Sequence, residues 1–204
     1  MTSEIGFLDA VWPAPENIIA GTTLKMSGYS QGTYSAFNLG DHVGDNIDHV
    51  KNNRRLLCEV LNLPSEPCWL NQKHSAKVIT EPTNDVNLFA DASITRSAKK
   101  ICVVLTADCL PVLITTKSGD TISAIHAGWR GLAAGIIENT INAMQSDPNE
   151  LLVWLGPAIS QRAFEVGDDV RNIFLKLNDN NKFFFKANDS NRWQADLYGL
   201  AKLK

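Results

Sequence analysis

Cys109, in the run Leu105-Thr106-Ala107-Asp108-Cys109-Leu110-Pro111, and His126, in Ala124-Ile125-His126-Ala127-Gly128-Trp129-Arg130-Gly131, are the side chains with the most chemistry to offer. A thiol and an imidazole held together make either a metal site or a nucleophile with its base. Whether they meet depends on the strands that carry them. Residues 103–105 and 110–115 are apolar or β-branched, Lys117-Ser118-Gly119-Asp120 supplies turn residues, and 121–125 is again strand-like, a pattern that predicts a hairpin. With Ser118-Gly119 at the centre of the turn, Cys109 faces Gly128 and Pro111 faces His126. A four-residue loop instead puts Cys109 directly across from His126. Both registers leave the two side chains on one face, and a slip by one residue separates them.

The chain has 204 residues, 44% of them hydrophobic, enough to bury a substantial core and most simply read as one domain over residues 1–204. A net charge of −3 and a pI near 5.8 supply no basic field for nucleic acid and favour a small solute as partner. The opening Met1-Thr2-Ser3-Glu4 has no basic n-region, and no apolar run approaches the roughly 18 residues of a membrane span. A cytoplasmic protein with no nucleic-acid and no membrane partner is expected; oligomeric state is not legible.

Of the cysteines, Cys102 in Ile101-Cys102-Val103-Val104 and Cys58 in a helix-like run read as inert core thiols, and Cys68 beside Trp69 has no CxxC partner. Cys109 differs, following an acid and preceding a proline where a strand must turn. Among the histidines, His42 sits in a Gly- and Asp-punctuated loop, where it either contacts substrate or holds the loop. His49 lies in a predicted surface helix, and His74, in Gln72-Lys73-His74-Ser75, reads by itself as a surface residue. Leu132, Ala133, Ile136, Ile137, Thr140, Ile141 and Met144 follow at helical spacing and form a core stripe. Strands are predicted over 151–155 and 183–185, and Trp129 and Trp193 are assigned to core packing.

Read in order, Phe37-Asn38-Leu39-Gly40, Asp41-His42-Val43-Gly44-Asp45, Asn53-Arg54, Gln72-Lys73-His74, Ala90-Asp91-Ala92, Thr106-Ala107-Asp108-Cys109, His126-Ala127-Gly128-Trp129-Arg130-Gly131, Leu155-Gly156-Pro157-Ala158-Ile159 and Phe164-Glu165-Val166-Gly167 resemble the laccase-domain, or YfiH-like, family of polyphenol oxidase and purine nucleoside phosphorylase proteins. The resemblance implies an α/β fold, a four-layer α/β/β/α sandwich with mixed sheets. It also implies a zinc site with His74, Cys109 and His126 as ligands. One thiolate, two imidazoles and an open fourth position are the chemistry of a catalytic zinc, which lowers the pKa of bound water to about 7.

The activities implied are phosphorolysis of adenosine, inosine and methylthioadenosine and deamination of adenosine, so the partners are a purine nucleoside and inorganic phosphate. For these reactions Arg130 is the candidate phosphate contact, aided by backbone amides at the start of the following helix, because a guanidinium binds phosphate oxygens bidentately. Asp108 is the candidate proton shuttle or ligand-orienting acid. Asn38, His42 and Arg54 are candidate substrate contacts, and Glu165 a candidate pocket lining. Lys25, in Lys25-Met26-Ser27-Gly28, stands where the family commonly has an Arg; it keeps the charge and loses the bidentate fork. Around His74, Lys73 replaces the family's usual apolar residue and Ser75 its usual glycine. Relatives also continue beyond Lys204 through a further C-terminal segment, which this chain is expected to lack, leaving a sheet edge uncovered.

Three other functions compete. Copper at the same ligands gives a laccase-like phenol oxidase, although four histidines are too few for a multicopper centre. A metal-free Cys–His hydrolase uses Cys109 as nucleophile. A partner-binding factor in quality control of cell-wall precursors needs the metal only for structure.

Overall fold

The computed structural model describes residues 5–83 and 88–204; the opening residues 1–4, on which the absence of a leader was read, lie outside them. In chain order the regular elements are β1 (Phe7–Asp9), β2 (Gly21–Thr23), α1 (Ile47–Val60), β3 (Val78–Thr80), β4 (Ala92–Thr95), β5 (Leu110–Thr116), β6 (Ile122–Ala127), α2 (Trp129–Ala133), α3 (Ile136–Met144), β7 (Leu151–Leu155), β8 (Glu165–Val166), α4 (Asp168–Leu177), β9 (Phe185–Ala187), β10 (Trp193–Ala195) and α5 (Leu197–Lys202). The strands form a five-stranded sheet in the order β3-β4-β6-β5-β7, a three-stranded sheet β8-β10-β9 and the β1-β2 pair. Among the described residues only the β3–β4 ladder is parallel, so the mixed pairing predicted for the sheets is confined to the five-stranded one.

The predicted hairpin is β5–β6, in the register that pairs Pro111 with His126 and Leu110 with Ala127. Its turn is tied by Gly119 N donating to Thr116 O (2.9 Å) and by the Thr116 hydroxyl donating to Asp120 (2.8 Å). Alternation then divides the sheet: Leu110, Val112 and Ile114 of β5, Ile125 and Ala127 of β6, and Ala92 and Ile94 of β4 enter one core. Helices α2 to α5 supply the other side of that core through Leu132, Ile136, Met144, Val170, Phe174, Leu197 and Leu200. A second cluster gathers Ile5, Phe37, Leu39, Leu56 and Leu57, with Trp69 and Leu105 packed against it. Helix α1 reaches it with its Leu56-Leu57 face and begins at Asn46, whose side chain accepts from Asp48 N at 2.8 Å.

Three local expectations are corrected. The apolar run 103–105 joins no ladder; only Cys102 makes an isolated bridge, to Cys68, and Leu105 leaves the sheet to bond with Gln72 in both directions (2.7 and 2.8 Å). The stripe from Leu132 to Met144 is core as read, but it breaks into α2 and α3 at Gly135, whose φ of 87° is a left-handed conformation that ends the first helix. Phe183 and Phe184 belong to a 3-10 helix, Asp179–Phe184, rather than to a strand. Asn178 caps that helix by accepting from Asn180 N (2.9 Å), and Asn181 ties it to α4 by donating to Phe174 O (2.8 Å). Among the described residues no helix is long and apolar enough to cross a membrane.

Candidate metal centre

His126 is the penultimate residue of β6, buried between two neighbouring strands. On one side stands Pro111 of β5. On the other, the β4–β6 register continues to Asp91, which lies opposite His126: His126 N donates to Asp91 O (2.7 Å), and the ring Nδ1 meets Asp91 Oδ1 at 2.8 Å. Cys109 precedes β5 and reaches the same face. The Cys109–Gly128 alternative is the one realised, since a Cβ built on Gly128 would lie 2.9 Å from Cys109 Sγ and 3.2 Å from His74 Cδ2. His74 arrives from the loop before β3 with φ of 56°, its ring 4.7 Å from that of His126 at 75°.

The donor atoms of His74, Cys109 and His126 all lie within 4.8 Å of one another. A tetrahedral ion with bonds of about 2.0–2.3 Å needs donors roughly 3.3–3.6 Å apart, so modest side-chain rotations close the set. Burial grades outward from His126 through half-buried Cys109 to exposed His74, which leaves the group open on one side.

The electrostatics separate the two histidines. Burial opposes charge on His126, but hydrogen bonds to Asp91 and Cys109 and the charges of those groups outweigh it and push its pKa up to about 9. Burial also opposes charge on Asp91; hydrogen bonds from His126 and from Ser75 and Lys73 overcome it and hold the carboxyl far below the usual carboxylate range. His74 moves the other way: burial, followed by the charges of His126 and Arg130, lowers its pKa against the pull of Asp91. His74 therefore offers a neutral imidazole at pH 7, and a metal entering the group displaces a proton from His126.

The remaining predicted residues lie in several places. Arg130, exposed in the first turn of α2, lies over the Trp129 ring at 4.3 Å from its centroid, close enough to His74 to lower its pKa. Helix α2, at whose start the amide-based anion contact is expected, has 5 residues. Asp108 is exposed beside Cys109, and its backbone carbonyl accepts from Ile159 N (2.9 Å). Asn38 and Arg54 spend their polar atoms on the loop around Leu39: Asn38 Nδ2 donates to Gly40 O and Asp45, and Arg54 donates twice to Leu39 O (2.8 and 3.0 Å) while stacking over Trp69. His42 is exposed in the same loop, 3.6 Å from Asp41. Lys25 is exposed just beyond β2, and Glu165 is exposed and bonds to Asn188 (2.7 Å).

Asp91 was given no role on sequence grounds. The available signal was an acid between Ala90 and Ala92 at the mouth of a strand, where an ionisable group is buried only if fully partnered.

Residues 19–204 match a family described as multi-copper polyphenol oxidoreductase laccase. The chain belongs to that family. It is 46% identical over 192 residues, 93% of this chain and 79% of the relative, to a Haemophilus influenzae protein named purine nucleoside phosphorylase. It is 42% identical over 194 residues to an Escherichia coli protein named purine nucleoside phosphorylase YfiH, covering 94% of this chain and 79% of that one. Among solved structures, a Neisseria meningitidis protein of the group designated DUF152 superposes with a TM-score of 0.92 at 45% identity, covering 97% of this chain and 81% of its own. YlmD from Geobacillus stearothermophilus superposes at 0.87 with 26% identity, over 98% and 83% of the two chains.

Proposed function

We propose that the protein is a zinc-dependent purine nucleoside phosphorylase acting on adenosine, inosine and methylthioadenosine, with adenosine deamination as a second activity of the same site. The observation that carries this reading is the convergence of His74, Cys109 and His126 into one open-sided group beside Arg130, in a chain whose relatives bear the phosphorylase name. The donors fit zinc: one thiol and two imidazoles match its ligand preferences, and Gly128 leaves the space that any side chain would fill. Held by His74, Cys109 and His126, zinc would supply Lewis acidity at the open side of the group.

The other tasks fall to the chain itself. In phosphorolysis the bond between the ribose C1′ and the purine nitrogen breaks, a phosphate oxygen bonds to C1′, and the proton of hydrogen phosphate passes to the departing base. Arg130 holds the phosphate through paired N–H donors, its guanidinium oriented by Trp129. Asp108, exposed beside Cys109, moves the proton. Asn38 and Arg54 brace the loop that presents His42, and His42 and Lys25 meet the nucleoside from exposed positions.

One observation favours a second reading. His126 bonds to Asp91 and has the Cys109 thiol within 4.8 Å, the order of acid, base and nucleophile in a Cys–His hydrolase. Such an enzyme works without metal and is insensitive to chelation.

The test is incubation of zinc-loaded protein with adenosine, with and without phosphate, and chromatographic separation of adenine, inosine, hypoxanthine and ribose 1-phosphate. Phosphate-dependent base release that disappears on chelation and in Cys109→Ala is expected, with phosphate-independent inosine marking deamination. Folded, zinc-loaded protein that yields no product overturns the proposal.

A further inference from the structure

We propose that Asp91 is the positioning residue of the metal centre. Its carboxylate holds His126 as the tautomer protonated on Nδ1, with Nε2 turned toward the ion, and the same two oxygens clamp the loop that carries His74. The inference rests on the metal reading of the site and not on phosphorolysis.

Asp91 is fully buried, at 0% exposure, and every partner of its carboxylate is a donor. Oδ1 receives the His126 ring at 2.8 Å and His74 N at 2.9 Å. Oδ2 receives Lys73 N at 3.2 Å, Ser75 N at 2.7 Å and the Ser75 hydroxyl at 2.7 Å. A carboxylate that ionises only accepts, so the ring nitrogen facing it carries the hydrogen and the other nitrogen keeps its lone pair for a ligand. Imidazole ligands with their second nitrogen bonded to a carboxylate are more basic and cannot spin or change tautomer.

The second half of the role concerns a ligand remote in sequence. His74 stands at φ of 56°, a left-handed conformation that side chains other than glycine adopt at a cost. Three consecutive backbone N–H groups, from Lys73 to Ser75, converge on Asp91 and hold the chain in that turn. Ser75 adds its hydroxyl, a bond that a glycine at this position could not make. One buried charge thus fixes the direction of one histidine and the location of the other. A residue needed only to pin the loop would bond to the backbone donors and leave the ring free.

The experiment uses the full chain and zinc alone. Asp91→Asn replaces one acceptor oxygen by an NH2 that must face donors, and competition against a chromophoric chelator should show zinc affinity lower by about 10–100-fold. Long-range 15N–1H correlation on the wild-type zinc protein should show His126 protonated on Nδ1. Ser75→Ala, which removes the 2.7 Å hydroxyl bond to Asp91 and the 3.2 Å bond that Lys77 N donates to the same hydroxyl, should weaken zinc binding in the same direction by less. Native zinc affinity in Asp91→Asn, or His126 protonated on Nε2 in the wild type, overturns the proposal. The wild-type spectrum decides the matter even where Asp91→Asn fails to fold. Wild-type protein that binds no zinc overturns the metal reading and this role together. Weakened zinc binding in Asp91→Asn with no base release from the wild type supports this role and overturns the phosphorylase alone.

Discussion

Gly128→Ala is the smallest change that tests whether the site is shaped around an ion. Gly128 has φ −68° and ψ 160°, values any residue adopts, so alanine brings no backbone strain. Its effect is confined to what the new Cβ touches: Cys109 Sγ at 2.9 Å and His74 Cδ2 at 3.2 Å. Non-bonded heavy atoms rest about 3.5–4.0 Å apart, so the sulfur must retreat by roughly 0.6–1.1 Å and the imidazole by a few tenths of an ångström. Metal–ligand distances tolerate only about 0.2 Å, and a displaced thiolate and imidazole cannot both close on one ion. Zinc affinity, read by chelator competition, should therefore fall at least about 10-fold. Thermal unfolding of the metal-free protein should lose no more than about 1–3 kcal/mol, the range for overpacking by a single methyl group. Base release at limiting zinc should fall with the affinity and recover in part at saturating zinc. Unchanged zinc affinity in a folded Gly128→Ala protein would refute the reasoning, because Cys109 and His74 would then bind zinc equally well from displaced positions, or not bind it at all.

Three further outcomes follow from other residues. Arg130→Ala should raise the KM for phosphate about 10-fold or more with a smaller effect on the nucleoside KM, and Arg130→Lys should restore it only partly; an unchanged phosphate KM removes Arg130 from anion binding. Burial raises the pKa of Glu81, but bonds from Arg96 N, Ser97, Thr95 and Lys100 lower it by more, to about 2, so its contribution is present above pH 4.5 and is lost as the pH falls toward 2. Because that side chain is 36% exposed, about 1 kcal/mol is expected, and denaturant titrations between pH 5 and 2 should show Glu81→Gln losing less stability than wild type. Asn53, fully buried, donates to Ser30 Oγ (2.9 Å) and Asn38 O (2.8 Å) and accepts from Tyr29 N (2.8 Å). Asn53→Leu should cost about 2–4 kcal/mol in urea unfolding while leaving zinc affinity near native, since those bonds brace the segment 29–38 and not the metal centre.

The sequence by itself determined that Cys109 and His126 share a face in either register that centres the turn on residues 117–120, because strand alternation has a period of two. A slip by one residue would have parted them, and it is the observed pairing of Pro111 with His126 that excludes it. It also marked the stripe from Leu132 to Met144 as core, because helical periodicity follows from backbone geometry alone. Where periodicity could not see a single torsion, it overreached: Gly135 breaks a stripe whose apolar spacing continues through the break. Residues 103–105 likewise have strand composition, yet Gln72 claims the backbone of Leu105 from outside the sheet. The third member of the site was decided only by tertiary structure. His74 lies in a polar loop whose sequence has no period, and on the residues alone it looked like surface. What brings it to Cys109 and His126 is the need of a carboxylate, buried opposite His126 in the neighbouring strand, to satisfy both its oxygens, and it does so with the N–H groups of that loop. Donor and acceptor here are far apart in the chain, so no window of sequence contains the bond that assembles the site.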